Sequence, residues 1–281
     1  MKVVTAVVNN PIFIQIQYYT LQKYMKTDYE FIVFNDAKPF LDYSNGEDIS
    51  IKQSIETMCR TLNIQCINIP NQHHINQQDA ALRCADSMNF ILEYQKRNPD
   101  KYLLLDSDMF LLDNFDLSEY EKYDCSVVLQ SRFDNKINYF WNGIYYFDFN
   151  KMKNKQLLNW NCKPGCDVGG MMEQWLQAQT KNIPNTNEIR HTNKIFHNDD
   201  IYYIKHLWSC SWNENEMPEN LKNNAKLLHF MQTDPRNQNG KFYCEIYDNK
   251  FLHYRAGGNW EKRNMNVHHA LALKLRELLL N

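Results

Sequence analysis

Two carboxylates separated by one residue, Asp106 and Asp108, stand between apolar stretches, Lys101-Tyr102-Leu103-Leu104-Leu105 before and Met109-Phe110-Leu111-Leu112 after. An i, i+2 carboxylate pair in a turn can face one hard divalent cation, whose remaining positions are filled by water and phosphate oxygens. That geometry suits Mn2+ or Mg2+ bound to a diphosphate. The same pair could be a solvated turn, but an apolar frame on both sides is costly packing for a turn with no other task.

The elements that would hold the pair follow from the apolar spacing around it. Lys2 to Val8 (KVVTAVV) is a β-branched run ended by Asn9-Asn10-Pro11, which predicts a buried first strand followed by a loop. Residues 13–25 carry apolar side chains at mixed helical spacing, and Tyr29 to Phe34 (YEFIVF) reads as a second strand stopped by Asn35-Asp36. The next apolar stretch, Asn63 to Ile69, runs into Pro70. Strand, helix, strand in this order implies a parallel sheet with right-handed crossovers. Residues 79–97 place Ala, Leu, Met, Phe and Ile on one helical face, with Asp79 suited to the N-cap and Lys96-Arg97 to the last turn. Lys101 to Leu105 is then a buried fourth strand that delivers Asp106 and Asp108 at its carboxyl end, where open α/β sheets bind ligands. Cys125 to Gln130 and Ile144 to Phe149 predict further strands, antiparallel because too few residues separate them for a helical crossover. Val267 to Leu280 has the spacing of an amphipathic packing helix. No linker or internal repeat interrupts the sequence, so a single domain over residues 1–281 is expected.

Composition narrows the function classes. The chain has 281 residues, a formal net charge of −2, 43% apolar and 23% charged residues, which excludes disorder and a nucleic-acid surface built on net positive charge. A chain this long buries about three quarters of its extended surface and needs no disulfide or structural metal for a core. The eight cysteines are irregularly spaced, and only Cys162-x3-Cys166 is a close pair, so free thiols in a reducing compartment are expected rather than a four-ligand zinc site. The opening MKVVTAVVNNP lacks the apolar stretch of a signal peptide, and no run approaches the length of about 18 apolar residues that would suggest a membrane span. A soluble, cytoplasmic protein is expected. Aromatics reach 14%, which predicts a large aromatic core or rings that stack on a sugar or base.

Lys101 to Phe115, KYLLLDSDMFLLDNF, resembles the D-x-D segment of GT-A-fold glycosyltransferases, the nucleotide-sugar-dependent enzymes that include the glycogenin-like group. The resemblance extends over most of the chain, and its sharp points are the D-x-D and one C-terminal motif. It implies an α/β fold of the GT-A type, a Rossmann-like mixed sheet flanked by helices, with residues 1–115 as the nucleotide-binding half and 116–281 as the acceptor-binding half. In that fold a strand and a nucleotide-binding loop open the chain, as Val3 to Asn10 does here, with Val7 and Asn9 facing the nucleotide. Asn35 and Asp36, ending the second strand, are placed with Asn9 to contact uracil and ribose. A helix with a basic residue precedes the metal motif, and Arg83 stands 23 residues ahead of Asp106. Trp141-Asn142-Gly143-Ile144 has the form of the family's Asn-x-Gly-like segment entering a strand, which puts Asn142 and Gly143 near the sugar or acceptor.

The family also implies a late histidine ligand in an apolar-His-aromatic context followed by Gly and Trp. Phe251 to Trp260, FLHYRAGGNW, supplies it, with His253 joining Asp106 and Asp108 as metal ligand, Gly257-Gly258 as a close-approach loop and Trp260 as a lid or packing residue. Neutral imidazole is a suitable Mn2+ ligand beside two carboxylates. Arg255 could pair with the diphosphate as a planar donor fork, and Ser107, within the D-x-D, is expected among the nucleotide-sugar-binding residues. His229, in Leu227-Leu228-His229-Phe230, is the second candidate but lacks the Gly-Gly-x-Trp.

The implied activity is transfer of a sugar from a nucleoside-diphosphate sugar, UDP being the expected nucleotide, to a hydroxyl of a glycan or protein acceptor, with Mn2+ or Mg2+ as cofactor. Cys166-Asp167-Val168-Gly169-Gly170 resembles the acidic-Gly segment that opens a helix beside the sugar, where Asp167 could hold sugar hydroxyls or act as base; alternatively it is an acidic helix start. His197-Asn198-Asp199-Asp200 is a second acidic candidate, or the cap of a helix continuing through Ile201-Tyr202-Tyr203. An inverting enzyme needs such a base and a retaining one does not. Tyr139-Phe140-Trp141, Trp208, Trp212, Tyr254 and Trp260 fall in the acceptor half, where rings could stack on sugars. Competing readings are a haloacid-dehalogenase-like Mg2+-dependent phosphatase, a non-catalytic carbohydrate-binding protein and a nucleotidyltransferase. The phosphatase family places its motif near the N-terminus with Thr or Val where Phe110 stands here. Abundant Asn, Lys and Ile suit an A+T-rich genome, such as that of a large DNA virus or a bacterium.

Overall fold

The β-branched N-terminal run forms β1 (Lys2–Val7), which pairs in parallel with β2 (Glu30–Asn35) on one side and β4 (Lys101–Leu105) on the other, and β3 (Gln65–Asn68) extends β2 in parallel. This computed structural model describes residues 1–37, 50–70, 72–189, 195–198, 200–255 and 262–281. After the short β5 (Met109–Leu111) come β6 (Cys125–Arg132) and β7 (Ile137–Asp148), an antiparallel pair, with β7 also antiparallel to β4. β8 (Phe196–His197) and β9 (Ile201–Tyr203) complete a mixed sheet of order β3-β2-β1-β4-β7-β6-β9-β8. A second sheet, of order β10-β11-β12-β5, joins β5 to β10 (His206–Leu207), β11 (Glu245–Tyr247) and β12 (Phe251–His253).

Both faces of the large sheet are buried, which explains why its strands read as continuous apolar runs rather than as alternation. Val3, Val7, Leu103 and Leu105 face one core, covered by α1 (Pro11–Tyr24), α2 (Ile51–Thr61) and the second sheet. Val4, Ile32, Phe34 and Leu104 face the other, across which lie Ala85, Met88, Ile91 and Leu92 of the helix over residues 80–97. That helix is α4 (Ala80–Arg97), following the single turn α3 (His73–Asn76). Asp79 caps it by accepting from Ala81 N at 2.8 Å, as its sequence position predicts. Asn10 caps α1 ahead of Pro11, a favourable first helical residue. Later helices are α5 (Glu173–Gln179), α6 (Thr186–Ile189), α7 (Glu219–Lys222), α8 (Ala225–Gln232) and α9 (Lys262–Leu280), the last packing on α1 and burying Ala272, Leu275 and Leu279. Among the described residues no helix is long and apolar enough to cross a membrane.

Three expectations need correction. Ile201-Tyr202-Tyr203 is not helical but forms β9, parallel to β6 with Ile201 opposite Cys125; Ile201 and Tyr203 are buried, and the Asn198 side chain accepts from Asp200 N and Ile201 N ahead of them. Trp141-Asn142-Gly143 does not enter a strand but lies inside β7. There the pairing jumps, with Val127 opposite Tyr145 and Val128 opposite Trp141, so residues 142–144 bulge from the ladder with β6. The expected sugar-stacking rings are mostly core: Tyr139, Phe140, Trp212 and Tyr254 are fully buried. The aromatic excess is therefore largely packing, with Tyr145 stacked on Trp160 at 5.0 Å and Trp212 against Phe242 at 4.8 Å. All eight cysteines are free thiols.

Candidate metal centre and its cavity

The turn after β4 is built by three contacts. Met109 N donates to Asp106 O at 3.0 Å and closes it, Asp106 N donates to Gly143 O of the β7 bulge at 2.6 Å, and Gln17 of α1 donates to both Asp106 O and Met109 O. The bulge thus re-aims β7 so that its backbone carries the turn. A side chain at Gly143 would meet the Trp141 indole at 2.0 Å, so glycine here lets that ring fold over and stack on Tyr247, 5.1 Å away and 12° from parallel.

His253 arrives through the second sheet. β12 pairs antiparallel with β5 so that His253 lies opposite Met109, and Tyr254 N donates to Asp108 O at 2.9 Å. The imidazole Nε2 then stands 3.2 Å from Asp108 Oδ1 and 3.8 Å from Asp106 Oδ2. The three donor atoms lie within 4.8 Å of one another, a spacing that one cation can bridge. Asp108 and His253 are buried, while the Asp106 side chain is 38% exposed toward the cavity.

Sequence reasoning missed Glu245. It sits on β11 directly opposite His253, is buried, and its Oε2 meets His253 Nδ1 and accepts from the Tyr247 hydroxyl, both at 2.8 Å. Its other oxygen accepts from Ser209 N at 3.0 Å. Burial alone would raise the Glu245 carboxyl, but the His253 hydrogen bond and charge hold it below the usual range. Burial opposes charge on His253 as well, yet Asp108 on Nε2 and Glu245 on Nδ1 outweigh it and push the imidazole up to about 10. Burial and the Asp108 charge push Asp106 up to about 6. Without a bound cation, an imidazolium therefore supplies the positive charge that the carboxylates face.

The centre opens into a cavity of about 300 Å³ at the carboxyl ends of β1, β2 and β4. Of the residues singled out from sequence, Asn9, Asp36, Arg83, Asp106, Ser107, Asp108, Asn142, Asp167, His253 and Arg255 all line it. The N-terminal turns of α4 face it through Ala80, Arg83 and Ser87, and Arg83 is held there by donating to Gln77 O at 2.8 Å and Gln78 O at 2.7 Å. Trp141, whose ring is also 5.2 Å from that of His253, forms part of the wall.

Other expected positions fall outside it. Val7 points into the core, and strand alternation gives the cavity to Ala6 and Val8. Asn35 is fully buried, donating to Lys52 O and accepting from Ala37 N, so it fixes the end of β2 rather than facing a ligand. Gly169 serves packing: at φ +89° a side chain there would strike Phe140 O at 2.3 Å. Gly170 likewise abuts Lys163 N. His229 sits on α8 and is not among the converging ligand atoms. Gly257, Trp260 and Asp199 lie outside the described residues.

The fold and this centre define a mixed α/β protein with a carboxylate–imidazole cluster at the strand ends. No protein-family model matches the chain, and no curated protein matches it in sequence. Among solved structures it is similar over 54% of its length to the galactosyltransferase LgtC in complex with donor and acceptor sugar analogs, at 14% identity and TM-score 0.35, covering 59% of that chain. It is similar over 56% to an active-site mutant of LgtC, at 15% identity and TM-score 0.36, covering 61% of that chain. It is also similar over 54% to the bifunctional glycosyltransferase WbbM in its apo form, at 12% identity and TM-score 0.33, covering 32% of that chain. The chain thus spans less than two thirds of each of these proteins.

Proposed function

We propose that this chain is a metal-dependent glycosyltransferase of the GT-A type, transferring a sugar from a nucleoside diphosphate, UDP by preference, to an acceptor hydroxyl. The observation that carries the proposal is the convergence of Asp106, Asp108 and His253 on a cavity bordered by Arg83, Arg255 and the N-terminal turns of α4. The donor set, two carboxylates and an imidazole backed by Glu245, fits Mn2+ and is acceptable to Mg2+. When bound, that cation would neutralise the charge developing on the departing diphosphate.

The chain's own residues do the rest. Arg83, pinned by two carbonyls, and Arg255 hold the diphosphate, with the positive end of α4 favouring the same charge. Trp141, held by its stack on the buried Tyr247, forms one wall of the site. Asp167, which lines the cavity and accepts from Val168 N at 2.8 Å, would take the acceptor hydroxyl's proton if configuration inverts. In this reading residues 1–115 bring the nucleotide side and 116–281 the acceptor side of a single domain.

The test is thermal stabilisation. UDP-sugar with Mn2+ at 100 times its dissociation constant raises stability by about 2.7 kcal/mol, GDP- and dTDP-sugars give smaller shifts, and omission of the metal removes most of the effect. A panel without any shift would eliminate the proposal. The metal affinity also depends on pH. His253 Nε2 holds its proton below about 10 in the ion-free protein, so binding Mn2+ at neutral pH expels that proton. Affinity therefore rises about tenfold per pH unit between about 6 and 10, and more steeply below about 6, where the Asp106 proton must be displaced as well. Calorimetry in buffers of different ionisation enthalpy counts the protons released, and a flat profile would remove His253 from the ligand set.

A further inference from the structure

The carboxyl end of β2 carries a second convergence of ligand-type atoms, on the wall of the same cavity. Asp36, His73 and His74 are 2%, 9% and 9% exposed. The two imidazoles open α3 and pack on each other, centroids 4.3 Å apart. Both Nε2 atoms converge on Asp36 Oδ1, from 2.9 Å for His73 and 3.3 Å for His74, and the three donor atoms lie within 4.8 Å of one another.

Hydrogen bonding accounts for only part of this cluster. Ser87 Oγ donates to Asp36 Oδ2 at 2.5 Å, and His74 Nε2 stands 2.6 Å from the Asp36 carbonyl oxygen. Asp36 Oδ1 and His73 Nε2, though buried and close together, have no partner in hydrogen-bond geometry. They meet as an ion pair at 2.9 Å, an arrangement of donor atoms that a cation between them would equally hold. Donor atoms around a tetrahedral ion, at bond lengths of about 2.0–2.2 Å, stand roughly 3.3–3.5 Å apart. His74 and Asp36 Oδ1 already have that spacing and His73 needs a few tenths of an ångström more, while the His74 Nε2 proton now given to the Asp36 carbonyl at 2.6 Å is one the ion would displace.

We infer that Asp36, His73 and His74 form a second metal site, separate from the Asp106–Asp108–His253 centre, which takes a borderline transition ion of the Zn2+ class. Two imidazoles with one carboxylate favour such an ion over Mg2+, whereas the carboxylate-rich centre accepts Mg2+. The ion would tie the end of β2 to α3, with Ser87 of α4 holding the other Asp36 oxygen, along a wall of the cavity that Asp36 and His74 line.

The experiment uses the full chain, stripped with chelator, saturated with Mg2+ and titrated with Co2+. The visible Co2+ absorption should saturate at one equivalent, with the intensity of low coordination, and Zn2+ should abolish it. Asp106→Asn/Asp108→Asn should keep the band, and His73→Ala and His74→Ala should each lose it with far-UV dichroism unchanged. Absence of the band in the unaltered chain overturns the inference without recourse to any variant. So does a band that survives both histidine substitutions yet vanishes with the aspartate pair. The proposed transferase is tested separately by Mn2+-dependent nucleotide-sugar binding, so either reading can fail alone.

Discussion

Asp108→Asn should lower the Mn2+-stimulated UDP-sugar turnover of the proposed transferase by roughly 10²–10³, the size typical of removing one preorganised electrostatic contact to a developing charge. The substitution is close to isosteric, and the backbone contacts of the turn, from Met109 N, Gly143 O, Gln17 and Tyr254 N, do not involve the carboxylate. The fold should therefore persist. Removing one partner of a buried ion pair ordinarily costs about 3–5 kcal/mol because a charge is left stranded. Here the stranded group has an exit: the His253 charge is sustained largely by Asp108, so without it the imidazole can release its proton. Asp106 simultaneously loses the neighbouring charge that, with burial, holds its carboxyl near 6. These adjustments offset each other in the ion-free protein, whose melting temperature should change little. What disappears is the rise in melting temperature on adding Mn2+, and the turnover with it. Activity within a few-fold of the unaltered chain would show that the carboxylate pair is only a turn.

The part of this centre that was legible in the sequence is the part built locally. Asp106 and Asp108 follow an apolar strand whose five residues are contiguous, and α4 announces itself with Asp79 at its start and two cations at its end. The position of His253 depends instead on β5 and β12, three residues each and far apart in sequence, and strands that short carry almost no periodic signal. Only the resemblance of FLHYRAGGNW to a family motif pointed there. Glu245 had no signal at all, since a lone glutamate in Cys-Glu-Ile-Tyr reads as an exposed strand position until β11 is paired with β12. The Asp36–His73–His74 convergence escaped for the same reason, joining a strand end to a one-turn helix. Misreadings were also non-local. Tyr202 and its neighbours look equally fit for a helix or a strand, and pairing with β6 decides. Val7 and Val8 differ only in which face of β1 the sheet presents to the cavity.

The second large effect belongs to Glu245. Its ionised carboxylate accepts a hydrogen bond from His253 Nδ1–H, which leaves Nε2 as the atom turned toward Asp106 and Asp108. Glu245→Gln keeps the shape and removes this arrangement. If the amide oxygen keeps its place against Nδ1–H, the amide nitrogen faces Ser209 N–H, two donors toward each other. If the amide flips, its oxygen satisfies Ser209 but its N–H2 meets Nδ1 and the Tyr247 hydroxyl, and the imidazole must carry its proton on Nε2, aimed where the cation should sit. Either orientation leaves a buried donor unsatisfied, at a cost of about 1–3 kcal/mol, so the ion-free protein should melt at a lower temperature. Mn2+ affinity should fall about 10–100-fold, as it does when the carboxylate orienting a ligating histidine is lost. A purely structural glutamate would lower the melting temperature and leave Mn2+ affinity and its pH dependence alone. Calorimetric titration of Glu245→Gln therefore separates the two, and restoration of affinity by Glu245→Asp with a shortened reach is not expected, because the 2.8 Å contact to Nδ1 would be lost.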